Sequence, residues 1–302
     1  MSYYSRLKKS FEGALRLPLN NRTKYVLFSD CHRGCGTSND NFLKNQNLYY
    51  AALSYYYRAG YTYIELGDGD ELWENRSMEQ IIEIHSDVFS LLSCFHSRNR
   101  LYMIYGNHDM VKKYRNTAVK SCSAYPCCCG NNPHLENQPL FPDIRFHSGI
   151  ILEPNPQLDQ ASVYLTHGHQ ADLLNSTFWR VSRFLVRYLW KPLEYYGVLD
   201  PTSAAKNYTH KEKTEQRLQH FAKQENLILI AGHTHRPVLS ESDPYYYNCG
   251  SCVHPYGITC LEIDRMHISL IKWVLAARPD RSLYVTRQVL AGPTPLTLPP
   301  HV

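Results

Sequence analysis

The 302 residues contain no apolar run of about 18 or more, the length a spanning helix needs, so no transmembrane segment is expected. The opening stretch MSYYSRLKKSFEGALRLPLN has no long apolar core ahead of a small-residue cleavage site, so no signal peptide is read there. The expectation is a cytoplasmic chain, or one peripheral at the inner face of a membrane. Its Asn-x-Ser/Thr sequons would then be unmodified and its ten cysteines reduced. Cys-x-x-Cys spacing occurs once, at Cys249 and Cys252. With no second pair it cannot complete a four-thiolate zinc site, and these two read as packed small residues. Cys122, Cys127, Cys128 and Cys129 cluster near His134 without paired knuckles, so a solvated loop is expected there ahead of a structural zinc site. The excess of one sign of charge is also small. A net charge of +5 and a pI near 8.6 favour an anionic partner but are too little to argue for nucleic acid, and no RNA or DNA module signature occurs. No internal repeat is visible. The tyrosine runs Tyr55-Tyr56-Tyr57 and Tyr245-Tyr246-Tyr247 read as packing residues.

Hydrophobic residues make up 43% of the chain, enough for a substantial core. Five short apolar runs end in Asp, His or Asn. Tyr25–Phe28 runs into Ser29-Asp30-Cys31-His32, Tyr61–Leu66 into Gly67-Asp68, and Leu101–Tyr105 into Gly106-Asn107-His108-Asp109. Val163–Leu165 runs into Thr166-His167-Gly168-His169, and Leu227–Ile230 into Ala231-Gly232-His233-Thr234-His235. These runs are β-branched and aromatic and too short for helices, so they read as buried strands. Stretches of helical pattern over about 40–59 and 77–97 separate the first three, which makes the fold class α/β with a sheet covered on both faces. Ligands of such sheets sit off the carboxyl ends of the strands, where all five polar clusters lie. The core is expected over about 22–170 and 226–275, with a helical cap insertion over about 171–225. A Pro-rich tail over about 288–302 is expected to be flexible or to lie along the surface.

Taken singly, an Asp or His after a strand is usually a cap or a turn. Five such clusters in order form an oxygen and nitrogen donor set that suits manganese, iron or zinc. The ordered motifs Asp-x-His, Gly-Asp, Gly-Asn-His-Asp, His-Gly-His and Gly-His-x-His resemble those of calcineurin-like metallophosphoesterases over roughly residues 25–237. Asn248-Cys249-Gly250-Ser251 is similar to the closing turn of that family. The resemblance implies a four-layer α/β/β/α sandwich and two divalent cations, manganese first, with iron or zinc as alternatives. It implies one metal held by Asp30, His32 and His235, a second held by Asn107, His167 and His233, and Asp68 bridging them. His167 is preferred to His169 because it leaves its strand first. His108 would stabilise charge over the substrate and protonate the leaving oxygen, oriented by Asp109, the nearest acid in sequence, or by a distant acid instead. Two such cations about 3.5–4 Å apart make hydroxide available at neutral pH and neutralise phosphoryl charge.

Within the family, Gly67-Asp68-Gly69-Asp70-Glu71-Leu72-Trp73 and Gly232-His233-Thr234-His235-Arg236-Pro237 resemble motifs of the UDP-2,3-diacylglucosamine pyrophosphatase branch. That branch usually has Arg where this chain has His108, and His-Gly-Asp where it has His-Gly-His. Residues 173–196 carry Arg180, Arg183, Arg187 and Lys191 at helical spacing beside an apolar stripe of Phe178, Val181, Leu185 and Leu189. Such a segment can touch a membrane surface or close over an anionic amphiphile. It can equally be a cap helix with its apolar face packed on the domain and its arginines in water. Arg180, Arg183 and Arg187, together with Arg33 and Asn107, are candidate substrate contacts. The expected activity is hydrolysis of a phosphodiester or pyrophosphate bond in a phosphorylated small molecule or a lipid-linked substrate. A phosphomonoesterase or protein phosphatase is the competing enzyme, and a metal-stabilised binding module without catalysis is the competitor from another class.

Overall fold

A computed structural model describes residues 1–37, 40–114, 140–155, 161–190 and 208–298. Two sheets face each other. The larger has strands in the order β12-β11-β10-β2-β3-β4-β5. Its members are β2 (Lys24–Phe28), β3 (Thr62–Leu66), β4 (Leu101–Ile104), β5 (Phe146–His147), β10 (Ile258–Asp264), β11 (His267–Ala277) and β12 (Leu283–Pro295). The smaller has the order β1-β6-β7-β8-β9. It holds β1 (Leu15–Leu19), β6 (Gly149–Pro154), β7 (Val163–Thr166), β8 (Ile228–Ala231) and β9 (Tyr246–Asn248).

The apolar layer between the sheets takes one face from each, including Leu27, Ile64, Leu66 and Ile104 against Ile150, Leu165, Ile228 and Ile230. Side chains alternate along a strand, so the other faces must be covered as well. Helices α2 (Gln46–Arg58), α3 (Met78–Ile84) and α4 (Ser86–Ser97) cover the large sheet, burying Tyr49, Tyr56, Phe89 and Phe95. Helices α1 (Tyr3–Phe11) and α7 (Tyr208–Gln224) cover the small sheet through Leu7, Leu218 and Phe221. The result is the four-layer α/β/β/α arrangement. Between β7 and α7 lie two short helices of the cap, α5 (Leu173–Ser176) and α6 (Trp179–Leu185), followed by a wide turn over Val186–Trp190.

Three features depart from expectation. The ordered part of the fold begins before residue 22, because α1 and β1 complete the small sheet and its helical layer. The tail is a strand as far as Pro295. β12 pairs antiparallel with β11 from Leu283 onward, and Pro293 and Pro295 are tolerated because β12 is an edge strand. Cys94 is disulfide-bonded, unlike the free thiols Cys31, Cys35, Cys249, Cys252 and Cys260, so the expectation of uniformly reduced cysteines does not hold. The Cys122–Cys129 cluster and Lys191 lie outside the described residues. Among the described residues, no helix is long and apolar enough to cross a membrane.

Candidate metal centre

Five loops at the carboxyl ends of β2, β3, β4, β7 and β8 meet where the two sheets come together. Asp30, His32, Asp68, His233 and His235 all have positive φ, between 49° and 68°. Left-handed backbone costs energy for a residue with a side chain and persists only where its surroundings over-determine it. Here they do. The amides of Asp30, His32 and Arg33 donate to the carbonyls of Gly67, Asp68 and Gly69, which zips the first loop to the second. Gly67 has φ 92°, and a Cβ there would lie 2.7 Å from the Gly106 nitrogen. A Cβ on Gly106 would lie 2.1 Å from Asp68 Oδ1, so only glycine lets the third loop approach the second.

This folding brings two groups of donors together. Asp30, His32 and His235 form one, and Asp68, His167 and His233 the other, with the ligand atoms of each set within 4.8 Å of one another. Asn107 joins the second, its Oδ1 lying 3.2 Å from His167 Nε2. His169 belongs to neither set, although its ring centroid is 5.5 Å from that of His167. The donor sets fit divalent cations on two further observations. His233 Nε2 is buried without a hydrogen-bond partner, and Asp30 Oδ1 has none beyond the ion-pair approach of His235 Nε2 at 3.1 Å, a costly condition for polar atoms unless something else answers them. His32 Nε2 and His235 Nε2 lie 3.3 Å apart, close enough for both to reach one cation.

The electrostatics agree. Burial alone would raise the Asp30 carboxyl, but His235 and His167 outweigh it and hold it well below the usual range. Asp68 is likewise lowered against burial by His167 and His108. Burial would lower His167, yet Asp68 and Asp30 push it up to about 9. The pocket is therefore a negative field that attracts protons in the absence of other cations.

His108 stands at the rim of this centre. Its backbone amide donates to Asp68 Oδ1 at 2.8 Å. Its Nδ1 lies 2.8 Å from the Glu71 carboxylate, and its ring stacks on Trp73 with centroids 4.3 Å apart. Glu71 also takes the Nδ1 of His32 at 2.8 Å. Burial disfavours the His108 imidazolium, but Glu71 and then Asp68 overcome this and raise it. Of the two candidates to orient His108, the distant acid, Glu71, is the one that does so, and Asp109 does not. Its Oδ1 accepts from the Gly106 amide at 2.6 Å and its Oδ2 from Lys112 at 2.8 Å, so its role is to hold the loop. The sequence signal for Glu71 was available, since it stands three residues after Asp68 and two before Trp73.

Arg33 is not a substrate contact either. It is fully buried, with Nη1 and Nη2 on Glu65 at 2.9 and 3.1 Å and Nε on Asp70 at 2.7 Å. Asp70 in turn takes Lys112 at 2.5 Å. Arg180 is exposed, whereas Arg183 and Arg187 are half-buried. Arg187 donates to the carbonyls of Leu72, Trp73 and Asn75, which draws the cap onto the loop behind His108. The cap helix is turned opposite to the packed-stripe expectation. Phe178, Val181, Leu185 and Leu189 are all exposed, and Arg187 points inward because those three carbonyls need donors.

No curated protein matches the sequence. Among solved structures, Vps29 from Chaetomium thermophilum is similar at 10% identity and TM-score 0.40, covering 89% of this chain and 95% of that one. A point mutant of a cold-active protein tyrosine phosphatase is similar at 15% identity and TM-score 0.42, with coverages of 92% and 83%. A 5'-nucleotidase from Candida albicans SC5314 has 11% identity and TM-score 0.31, and the match covers 83% of this chain and 49% of that one. The model of the calcineurin-like phosphoesterase family matches residues 23–237, which span the five loops that build the metal centre, and the chain belongs to that family.

Proposed function

We propose that this chain is a dinuclear metal-dependent hydrolase of a phosphodiester or pyrophosphate bond. The observation that carries the reading is the convergence of two complete donor sets with an acid-paired histidine at their rim. In this reading Asp30, His32 and His235 hold one cation, Asn107, His167 and His233 hold the other, and Asp68 lies between them. Manganese is the first candidate, with iron and zinc as alternatives for the same oxygen and nitrogen donors. When bound, the cations supply hydroxide at neutral pH and offset the charge of the phosphoryl oxygens.

The remaining work falls to side chains. The His108 imidazolium, kept charged by Glu71 at 2.8 Å and held flat by Trp73, delivers a proton from Nε2 to the departing oxygen. Asp109 and Lys112 fix the loop from which it projects. A cap anchored on residues 72–75 narrows access from one side, which favours a small or extended phosphoester over a folded phosphoprotein. The exposed apolar residues of the cap fit an amphiphilic substrate or peripheral contact with a membrane through 173–196.

The test is hydrolysis by manganese-reconstituted protein of a bis-aryl phosphodiester and an aryl phosphomonoester. A strong diester preference is the expected result. A monoester preference would replace this reading with a phosphomonoesterase, and no turnover of either after confirmed metal loading would replace it with a binding module.

A further inference from the structure

Glu71 gathers a third set of donors beside the two metal sets. Its Oε2 lies 2.8 Å from His32 Nδ1, and both of its oxygens lie 2.8 Å from His108 Nδ1. One ligand atom from each of these three residues falls within 4.8 Å of the others, as in the two metal sets. The carboxylate is aimed by the backbone, since Oε1 also accepts from the amides of Trp73 and Glu74 at 3.2 and 3.4 Å. The rings are aimed as well. They stand at 82° to each other with centroids 4.6 Å apart, and His108 is stacked on Trp73. Glu71 is buried, but the His108 side chain is 23% exposed, so the set can be reached from solvent.

Other buried carboxylates are held differently. Glu65, Asp70 and Asp109 are compensated by Arg33 and Lys112, cations that belong to the chain. Asp40 meets one imidazole, that of His85, whose other nitrogen faces Gln46 Oε1 at 2.8 Å. Glu71 meets two imidazoles, and each contact is made through a proton, which a metal ion can replace. Burial would raise the Glu71 carboxyl, but His108 and then His32 hold it below the usual range, so it is a charged donor at neutral pH.

Two imidazole nitrogens and a carboxylate form a zinc donor set that leaves a fourth position for water. At zinc–ligand distances of about 2.0–2.2 Å the ligand atoms of a tetrahedron stand about 3.3–3.5 Å apart, so the contacts of Glu71 need to open by only about half an ångström. Zinc binds such nitrogen donors far more tightly than manganese does. We propose that Glu71, His108 and His32 Nδ1 form a third, inhibitory metal site, which takes zinc once zinc exceeds what the two metal sets bind. His32 then carries one ion on each ring nitrogen. A zinc at this site turns His108 from a proton donor into a ligand and leaves both metal sets filled. The site stands on its own geometry, whereas its inhibitory effect rests on the phosphoesterase reading above.

Metal content is measured before activity. Full-length protein is dialysed to equilibrium at neutral pH against buffered free zinc of rising concentration, and bound metal is read by elemental analysis. At high free zinc, wild type should hold one zinc per chain more than Glu71→Gln and His108→Phe, whereas all three should hold equal amounts of manganese. His108→Phe decides if Glu71→Gln also loosens His32, because His108 belongs to neither metal set. Equal zinc content in wild type and both variants overturns the proposal. Diffraction from zinc-soaked crystals at the zinc absorption edge should show an anomalous peak between Glu71 and His108, and its absence at a zinc concentration that inhibits also overturns the proposal. Turnover of diphenyl phosphate by zinc-loaded wild type should fall at least tenfold as the extra zinc binds, since general acid catalysis contributes about 10²–10⁴-fold. Bis(4-nitrophenyl) phosphate, whose leaving group departs as the anion, should lose less. Turnover that persists at high zinc with no extra ion bound removes the site and leaves the phosphoesterase. One extra zinc in a protein that turns over no phosphoester at any zinc or manganese level keeps the site and removes the phosphoesterase reading.

Discussion

Replacing Glu71 with glutamine removes one negative charge from a point 2.8 Å from the Nδ1 atoms of both His32 and His108. The shape of the site is kept, because glutamine is isosteric and the Trp73 ring still stacks on His108. For His108, burial works against the imidazolium, and Glu71 is the largest influence working for it. With that charge gone the burial effect is opposed only by Asp68, so His108 loses its proton at lower pH than before. A general acid must be protonated, so the alkaline limb of the kcat profile moves to lower pH. General acid catalysis contributes about 10²–10⁴-fold. At pH 8 the variant should therefore lose about 10²-fold in kcat with a diphenyl ester, whose leaving group needs the proton. It should lose clearly less with bis(4-nitrophenyl) phosphate, whose leaving group departs as the anion. KM should change little, since the lost interaction acts in the transition state. Metal content measured on the same preparation separates this effect from a loosened His32. An unchanged pH profile, or equal losses with both leaving groups at full metal content, would refute the assignment of Glu71 as the partner that keeps His108 charged.

Other outcomes follow from the same geometry. Lys112→Met leaves Asp70 and Asp109 buried without their shared cation, and urea unfolding should show a loss of about 3–5 kcal/mol. Gly106→Ala places a methyl group 2.1 Å from Asp68 Oδ1, so elemental analysis should find metal content reduced and turnover should fall at least tenfold. In chelated protein His167 keeps its proton up to about 9 against an ordinary 6.5. Its folded-state value is raised, so its contribution to stability is complete below 6.5 and is lost as pH rises through 9. The melting temperature of chelated protein should fall across that window, and that of manganese-loaded protein, in which the imidazole is already deprotonated, should not follow it. Chelation itself should lower the melting temperature at pH 8, because the cations bind the folded chain alone.

The five strands that carry the site were legible because they announce themselves twice, once as short β-branched runs and again as the Asp, His or Asn that ends each of them, whereas their division into two sheets followed from the family resemblance. Elements without such an ending were harder to read. β12 carries two prolines and exposed side chains, and only its pairing with β11 makes it a strand. α1 and β1 have ordinary sequences and owe their place to packing against α7 and β6. That Asp30, His32, Asp68, His167, His233 and His235 converge could be anticipated because each stands at the carboxyl end of a strand, while their division into two sets followed from the family resemblance. The partner of His108 could not be settled that way. Asp109 is adjacent in sequence, but in an extended loop a neighbouring side chain points elsewhere, and the acid that reaches Nδ1 comes from a different strand.

Arg33 shows why the site needs more than its donors. It was read as a phosphate contact because it follows Asp30-Cys31-His32 directly. In the fold it belongs to a buried series of alternating charge, Glu65, Arg33, Asp70, Lys112 and Asp109, that ends on the amide of Gly106. Glu65, Asp70 and Asp109 bring carboxylate oxygens within 4.8 Å of one another, an arrangement stable only because the two cations lie among them. Its members come from three segments, Arg33 after β2, Glu65 and Asp70 on β3 and the loop after it, and Asp109 and Lys112 after β4, so the series ties the segments carrying Asp30, Asp68 and Asn107 to one another from below. That connection is what can hold Asp30, His32 and Asp68 in left-handed backbone while their side chains stay free to converge. If the series works in this way, Arg33→Met should resemble Lys112→Met in costing both stability and metal retention, although Arg33 touches no candidate ligand through its side chain. Full metal content in a destabilised Arg33→Met protein would show instead that the loops are held by their backbone hydrogen bonds alone.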